Sequence, residues 1–208
     1  MAGPVLTTST VPLPRRPPGP DAPDARLRHW YENDLGWPTV PGRPLRLRTG
    51  VLFDVLDVPA EAGARVLRLL APGSPVALRG DRMELLLAAG GAEEVPGVLE
   101  WLEWGAVRLD LRLLGAGGTV RAPARPAGAV TSGRAGTVQG AAVWLRPPEP
   151  GRGVEASLPA MPAVGRAGGV PDLVRLLDTV AAHCHRVRLR RSGAGPADSG
   201  RNQPLAFS

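Results

Sequence analysis

The sequence predicts an α+β fold: a mixed or largely antiparallel sheet flanked by helices, with disordered ends. Three observations carry this. Residues 75–79 and 82–88 form a hairpin signal around Gly80-Asp81, which makes two neighbouring strands antiparallel. Apolar residues spaced three and four apart interrupt the strands after residues 59, 91 and 171, as helices packed on a sheet require. The resulting order, βαββαββ, mixes hairpins with helices instead of alternating strand and helix regularly.

The elements follow in chain order. Asp24 is placed to cap a helix running to Leu35, with Gly36 ending it. Residues 37–41 (Trp-Pro-Thr-Val-Pro) read as extended. Residues 51–57 are β-branched and apolar, the pattern of a central strand. Pro59 opens a helix where its missing N–H does no harm, Glu61 complements that helix end, and Val66, Leu67, Leu69 and Leu70 give its buried stripe. After the hairpin, a helix over 92–104 buries Val95, Val98, Leu99 and Leu102, and Trp101 and Trp104 are expected in the core with it. The strand with Asp110 and Arg112 then pairs with 119–122 across a glycine turn. Residues 124–140 read as a Gly/Ala/Pro-rich loop, 142–146 as a short strand and 147–169 as irregular. A last helix starts near Pro171 and carries Leu173, Leu176, Leu177, Val180, Ala181 and Cys184 on one stripe. Residues 1–24 read as a disordered Pro-rich tail, 25–191 as one domain and 192–208 as a second disordered tail.

Composition narrows the function classes. All 25 basic residues are arginine, against 19 acids, giving a net charge of +6. With a pI near 11.1 the chain is attracted to polyanions, although arginine richness also follows from a GC-rich genome. The single cysteine, Cys184, excludes an intrachain disulfide framework and suits a reducing cytoplasm. No apolar run has the length of a membrane span and the N-terminus lacks a signal-peptide core, so no membrane association is expected.

The chemistry-bearing residues are few. Asp110 and Arg112 lie two apart, so on a strand they share one face. Beside Gly117 and Gly118, whose turn lets a phosphate approach the backbone, they either hold a metal and a phosphate or form an ion pair on a solvated sheet face. Asp57 is either a metal ligand or a strand-end acid before a helix. Arg43, Arg46 and Arg48, with Arg186, Arg188, Arg190 and Arg191, are candidate phosphate contacts; the last four equally complement a helix C-terminus. His183, Cys184 and His185 do not converge on one metal, because adjacent helical positions face apart.

Several of these pieces coincide in order. Residues 36–41 (Gly-Trp-Pro-Thr-Val-Pro) precede the apolar strand 53–59 (Phe-Asp-Val-Leu-Asp-Val-Pro). Later come Leu109-Asp-Leu-Arg112, then residues 117–123 (Gly-Gly-Thr-Val-Arg-Ala-Pro), then Val143-Trp144. Over residues 25–146 the chain resembles the bifunctional DNA primase/polymerase N-terminal domain, the prim-pol fold of the archaeo-eukaryotic primase superfamily, and in particular short actinobacterial proteins of that type. The resemblance implies a metal- and nucleotide-handling site at Asp57, Asp110 and Arg112, with Asp57 and Asp110 as metal ligands.

The departures from that pattern are specific. Pro59 stands where a second strand acid belongs, Asp54 points to the opposite strand face, and Met83 occupies the expected histidine position. Two-metal phosphoryl transfer needs carboxylates enough for both ions, and Asp57 with Asp110 falls short. The sequence is therefore read as a degenerate primase/polymerase-like protein that binds DNA or a DNA-replication or nucleoid partner, without a cofactor. One alternative is a residual nucleotidyltransferase using Mg²⁺ or Mn²⁺. Another is a protein-interaction module that offers its Pro-rich N-terminal tail to a protein partner.

Overall fold

The computed structural model describes residues 23–126, 141–161 and 172–193. The expectations for the two tails, for most of the 124–140 loop and for a helix start at Pro171 fall largely outside them. Within the described residues the chain is α+β, with four α-helices and two antiparallel sheets. None of these helices is long and apolar enough to cross a membrane.

Helix α1 (Pro23–His29) runs on through a π-helical turn to Asp34. Asp24 lies inside its first turn and pairs with Arg43 at 3.3 Å instead of capping it. Two short strands follow, β1 (Thr39–Val40) and β2 (Arg46–Arg48). Strand β3 (Phe53–Pro59) is buried at every position, because both of its faces are covered. It starts two residues later than the composition implied and keeps Pro59, which ends the strand and precedes α2 (Ala60–Val66) instead of opening the helix. The hairpin forms as expected from β4 (Val76–Arg79) and β5 (Arg82–Ala88), with Arg79 opposite Arg82. Helix α3 (Gly91–Trp101), strands β6 (Arg112–Leu114), β7 (Thr119–Arg121) and β8 (Ala142–Arg146), and helix α4 (Leu173–Gly193) complete the order.

The larger sheet has the order β6-β3-β5-β4-β8. Strand alternation divides its side chains between two apolar clusters. Leu56, Val58, Met83, Leu85 and Leu87 meet α2, α3 and α4 through Val66, Val95, Leu176 and Val180. Phe53, Val55 and Leu86 meet Trp30, Tyr31, Trp37 and the second sheet's Leu47 and Val120. The Trp37 and Phe53 rings pack in a tilted arrangement with centroids 4.7 Å apart, and the Tyr31 hydroxyl donates to the Pro123 carbonyl at 2.7 Å. Asp54, on the helical side as alternation requires, accepts the Ala92 amide at 2.9 Å and so caps α3.

Two further expectations are corrected. The strands flanking the glycine turn are not partners: β6 pairs with β3, whereas β7 joins β2 in a separate sheet ordered β1-β2-β7. The turn passes the chain between sheets because it is held by Thr49 and Gly50. The Thr49 hydroxyl donates to the Gly115 carbonyl at 2.6 Å, and a Cβ on Gly50 would lie 2.2 Å from the Ala116 Cα. Trp101 is not in the core but 75% exposed at the end of α3; Trp104 does pack, and its indole donates to Asp178 at 3.2 Å.

Candidate functional site

The face of the larger sheet that carries Phe53 and Val55 continues to Asp57. Register puts Glu84 of β5 directly opposite Asp57 on one side and Arg112 of β6 on the other. The aromatic cluster does not reach this end of the face. A cleft of about 530 Å³ opens here, with Arg46, Thr119, Val120 and Arg121 of the second sheet as its other wall. Arg46 and Arg121 are themselves register partners across β2 and β7. The cleft is lined by five arginines, at 46, 79, 82, 112 and 121, against three acids, Asp57, Asp81 and Glu84.

Its floor is an ion-pair network. Arg82 donates from Nε to Asp57 Oδ1 at 2.7 Å, from Nη2 to the Asp57 carbonyl at 2.9 Å, and from Nη1 to Asp110 Oδ1 at 2.6 Å. Arg79 donates from Nη2 to Asp57 Oδ2 at 3.2 Å and from Nε to Glu84 Oε1 at 2.8 Å. Burial pushes the Glu84 carboxyl above its ordinary range, and the bond from Arg79 opposes this. Desolvation works against the Arg82 charge, but its bonds to Asp57 and Asp110 outweigh that and raise its pKa. Hydrogen bonding to Glu84 likewise raises that of Arg79.

The residues singled out from sequence are distributed as follows. Asp57, Arg112 and Arg46 line the cleft. Asp110 precedes β6 instead of lying on it, so it does not share a strand face with Arg112. It stands behind Arg82, in a neighbouring recess with Arg188 and Arg191. Gly117 and Gly118 are outside the cleft wall. Gly117 has φ +74°, and a Cβ on Gly118 would meet the Thr49 hydroxyl at 2.6 Å, so turn geometry accounts for both.

Arg48 is exposed on β2, and Arg186 is exposed on α4. The other three candidate arginines of α4 are engaged. Arg188 donates to the Arg108 carbonyl at 2.8 Å, Arg190 pairs with Glu61 at 2.5 Å, and Arg191 lies 3.6 Å from Asp110 and 3.7 Å from Asp81. Sequence reasoning missed Arg79, Arg82, Glu84 and Arg121. The available signal was the presence of Arg82 and Glu84, two residues apart, at the head of an otherwise apolar strand.

The donor set does not fit a divalent cation. Both Asp57 carboxylate oxygens are taken by arginine, and the Arg82 guanidinium spans Asp57 and Asp110 where an ion shared by the two would sit. Among the described residues there is no group of three His, Cys, Asp or Glu that could hold a metal. Cys184 is buried, and burial pushes its thiol up to about 12, which makes it unreactive.

What the arrangement offers instead is anion binding. The Arg112 side chain has no hydrogen-bonding or ionic partner among the described residues, and the Arg46 guanidinium donates only to the Thr119 hydroxyl, at 3.2 Å. Two guanidinium forks therefore remain available over a floor whose other charges are already paired. No protein-family model, curated protein or solved structure matches this chain.

Proposed function

We propose that this chain is a divergent primase/polymerase-like protein that has given up metal-dependent nucleotidyl transfer and binds the phosphodiester backbone of DNA in its arginine cleft. The observation that carries the reading is the Arg82 guanidinium, bonded to Asp57 at 2.7 Å and to Asp110 at 2.6 Å. A guanidinium brings positive charge to the two carboxylates but has no open coordination position. It therefore cannot polarise a phosphoryl oxygen and activate a nucleophile together, as a catalytic ion does. Arg46 and Arg112 supply the phosphate contacts.

The test measures binding and chemistry side by side. Labelled single-stranded DNA is titrated with the full chain in EDTA and again in Mn²⁺, and primer extension is assayed in Mn²⁺ with all four nucleotides. The reading predicts binding in EDTA at least as tight as in Mn²⁺, and no extended primer. Extension above a no-protein control, or binding that requires the metal, contradicts it.

A further inference from the structure

On the far side of the larger sheet from the cleft, α2 packs along α4. Residues 183, 186 and 190 of α4 share one flank, at helical spacings of three and four. Arg65 of α2 and Arg68 of the 3₁₀ turn that follows lie three apart on the adjoining surface. The His183 ring is held below its ordinary pKa first by burial, then by the charges of Arg186, Arg65, Arg68 and Arg190. Arg190 is paired with Glu61. Arg65, Arg68 and Arg186 are exposed and have no carboxylate partner among the described residues.

We infer that this α2–α4 flank is a second docking surface for a nucleic-acid phosphodiester backbone. Charge complementarity points to a polyanion, and guanidinium forks match phosphate oxygens. The patch has no apolar centre of the kind a protein partner would bury. Of the large exposed apolar residues described, only Leu189 lies on either helix, and it sits roughly a quarter-turn round α4 from the patch. None of the exposed large hydrophobic residues described stands among these arginines, and the ring that does, His183, is only partly exposed, which favours a duplex backbone over a single strand. The sheet lies between this flank and the cleft, and the last turn of α4 reaches the cleft rim only through Arg191 and Asp81. The flank itself stands independently of the reading of the cleft.

The test compares the full-length chain with Arg65→Gln/Arg68→Gln/Arg186→Gln, the corresponding triple Arg→Lys variant, and the cleft variant Arg46→Gln/Arg112→Gln. A short labelled duplex is titrated with each at several salt concentrations. Loss of three phosphate contacts lowers the slope of log K against log salt by about 2.7. We expect that loss in the triple glutamine variant, with affinity at low salt reduced at least tenfold. The lysine variant keeps the slope, which separates loss of charge from damage to the helices. Cleft substitutions that abolish single-strand binding but leave the duplex slope unchanged separate the two surfaces. Overturning results are a triple glutamine variant with unchanged slope and affinity, or a flank that binds poly-glutamate while duplex DNA fails to displace it.

Discussion

Asp57 and Glu84 stand directly opposite each other on β3 and β5, each 2% exposed, and share one guanidinium, that of Arg79. Two carboxylates in that register repel each other, and neither has water to screen it. Arg79 and Arg82 resolve the conflict by inserting positive charge along the cleft floor. The site is a network of buried acids and arginines and not an open carboxylate cluster, and its energetics follow from that.

Removing Arg82 leaves Asp57 buried with one of its two cationic partners gone. Breaking a buried pair from one side costs about 3–5 kcal/mol. Arg82→Leu is expected to fall in or near that range by urea denaturation. Arg82→Lys recovers little, because one ammonium cannot reach Asp57 Oδ1, the Asp57 carbonyl and Asp110 together. A loss below about 1 kcal/mol in the leucine variant contradicts the network.

Glu84 makes stability depend on pH in a definite direction. Burial raises its folded pKa above the ordinary 4.5, so in the interval above 4.5 the native state holds more protons than the unfolded chain. The protonated carboxyl's contribution is complete below the unfolded pKa and is lost as pH rises through the folded one. The stability of wild type relative to Glu84→Gln is therefore expected to fall as pH rises across that interval. A difference that rises with pH contradicts the raised pKa.

The secondary structure was largely legible in the sequence, and its assembly was not. Periodicity revealed α2, α3 and α4, and the Gly80-Asp81 turn revealed the β4–β5 hairpin. The second sheet was hidden because β2 and β7 have three residues each, too few to show a period, and their pairing spans some 70 residues of chain. Asp57, Arg112 and Arg46 could be named in advance as candidates. The role of Arg82 could not, since it rests on the non-local pairing of β3 with β5 and on the path of the segment before β6. Trp101 misled because three-residue spacing from Trp104 places both near one face, yet the helix ends between them.

The Asp54 cap on α3 is a separate local test. Asp54→Ala removes the acceptor of the Ala92 amide and is expected to cost about 1–2 kcal/mol, with faster hydrogen exchange in the first turn of α3. Unchanged exchange at Ala92 shows that the cap is not formed.

The turn between β6 and β7 depends on close approach at Gly50, which has φ +81°. Gly50→Ala puts a methyl into the Ala116 backbone and imposes a conformation that L-residues avoid. A loss of at least about 2 kcal/mol is expected from thermal unfolding, and a neutral substitution contradicts the turn geometry.

The central claim is that Arg46 and Arg112 hold DNA phosphates without a metal. The measurement that bears on it most directly is the salt dependence of single-stranded DNA binding in EDTA, for wild type and for Arg46→Gln/Arg112→Gln. Each lost phosphate contact lowers the slope of log K against log salt by about 0.7 on a single strand. The account predicts a slope reduced by about 1.4 in the double variant, together with weaker binding at every salt concentration. An unchanged slope and affinity would place the DNA contacts elsewhere and leave the cleft without the role assigned to it.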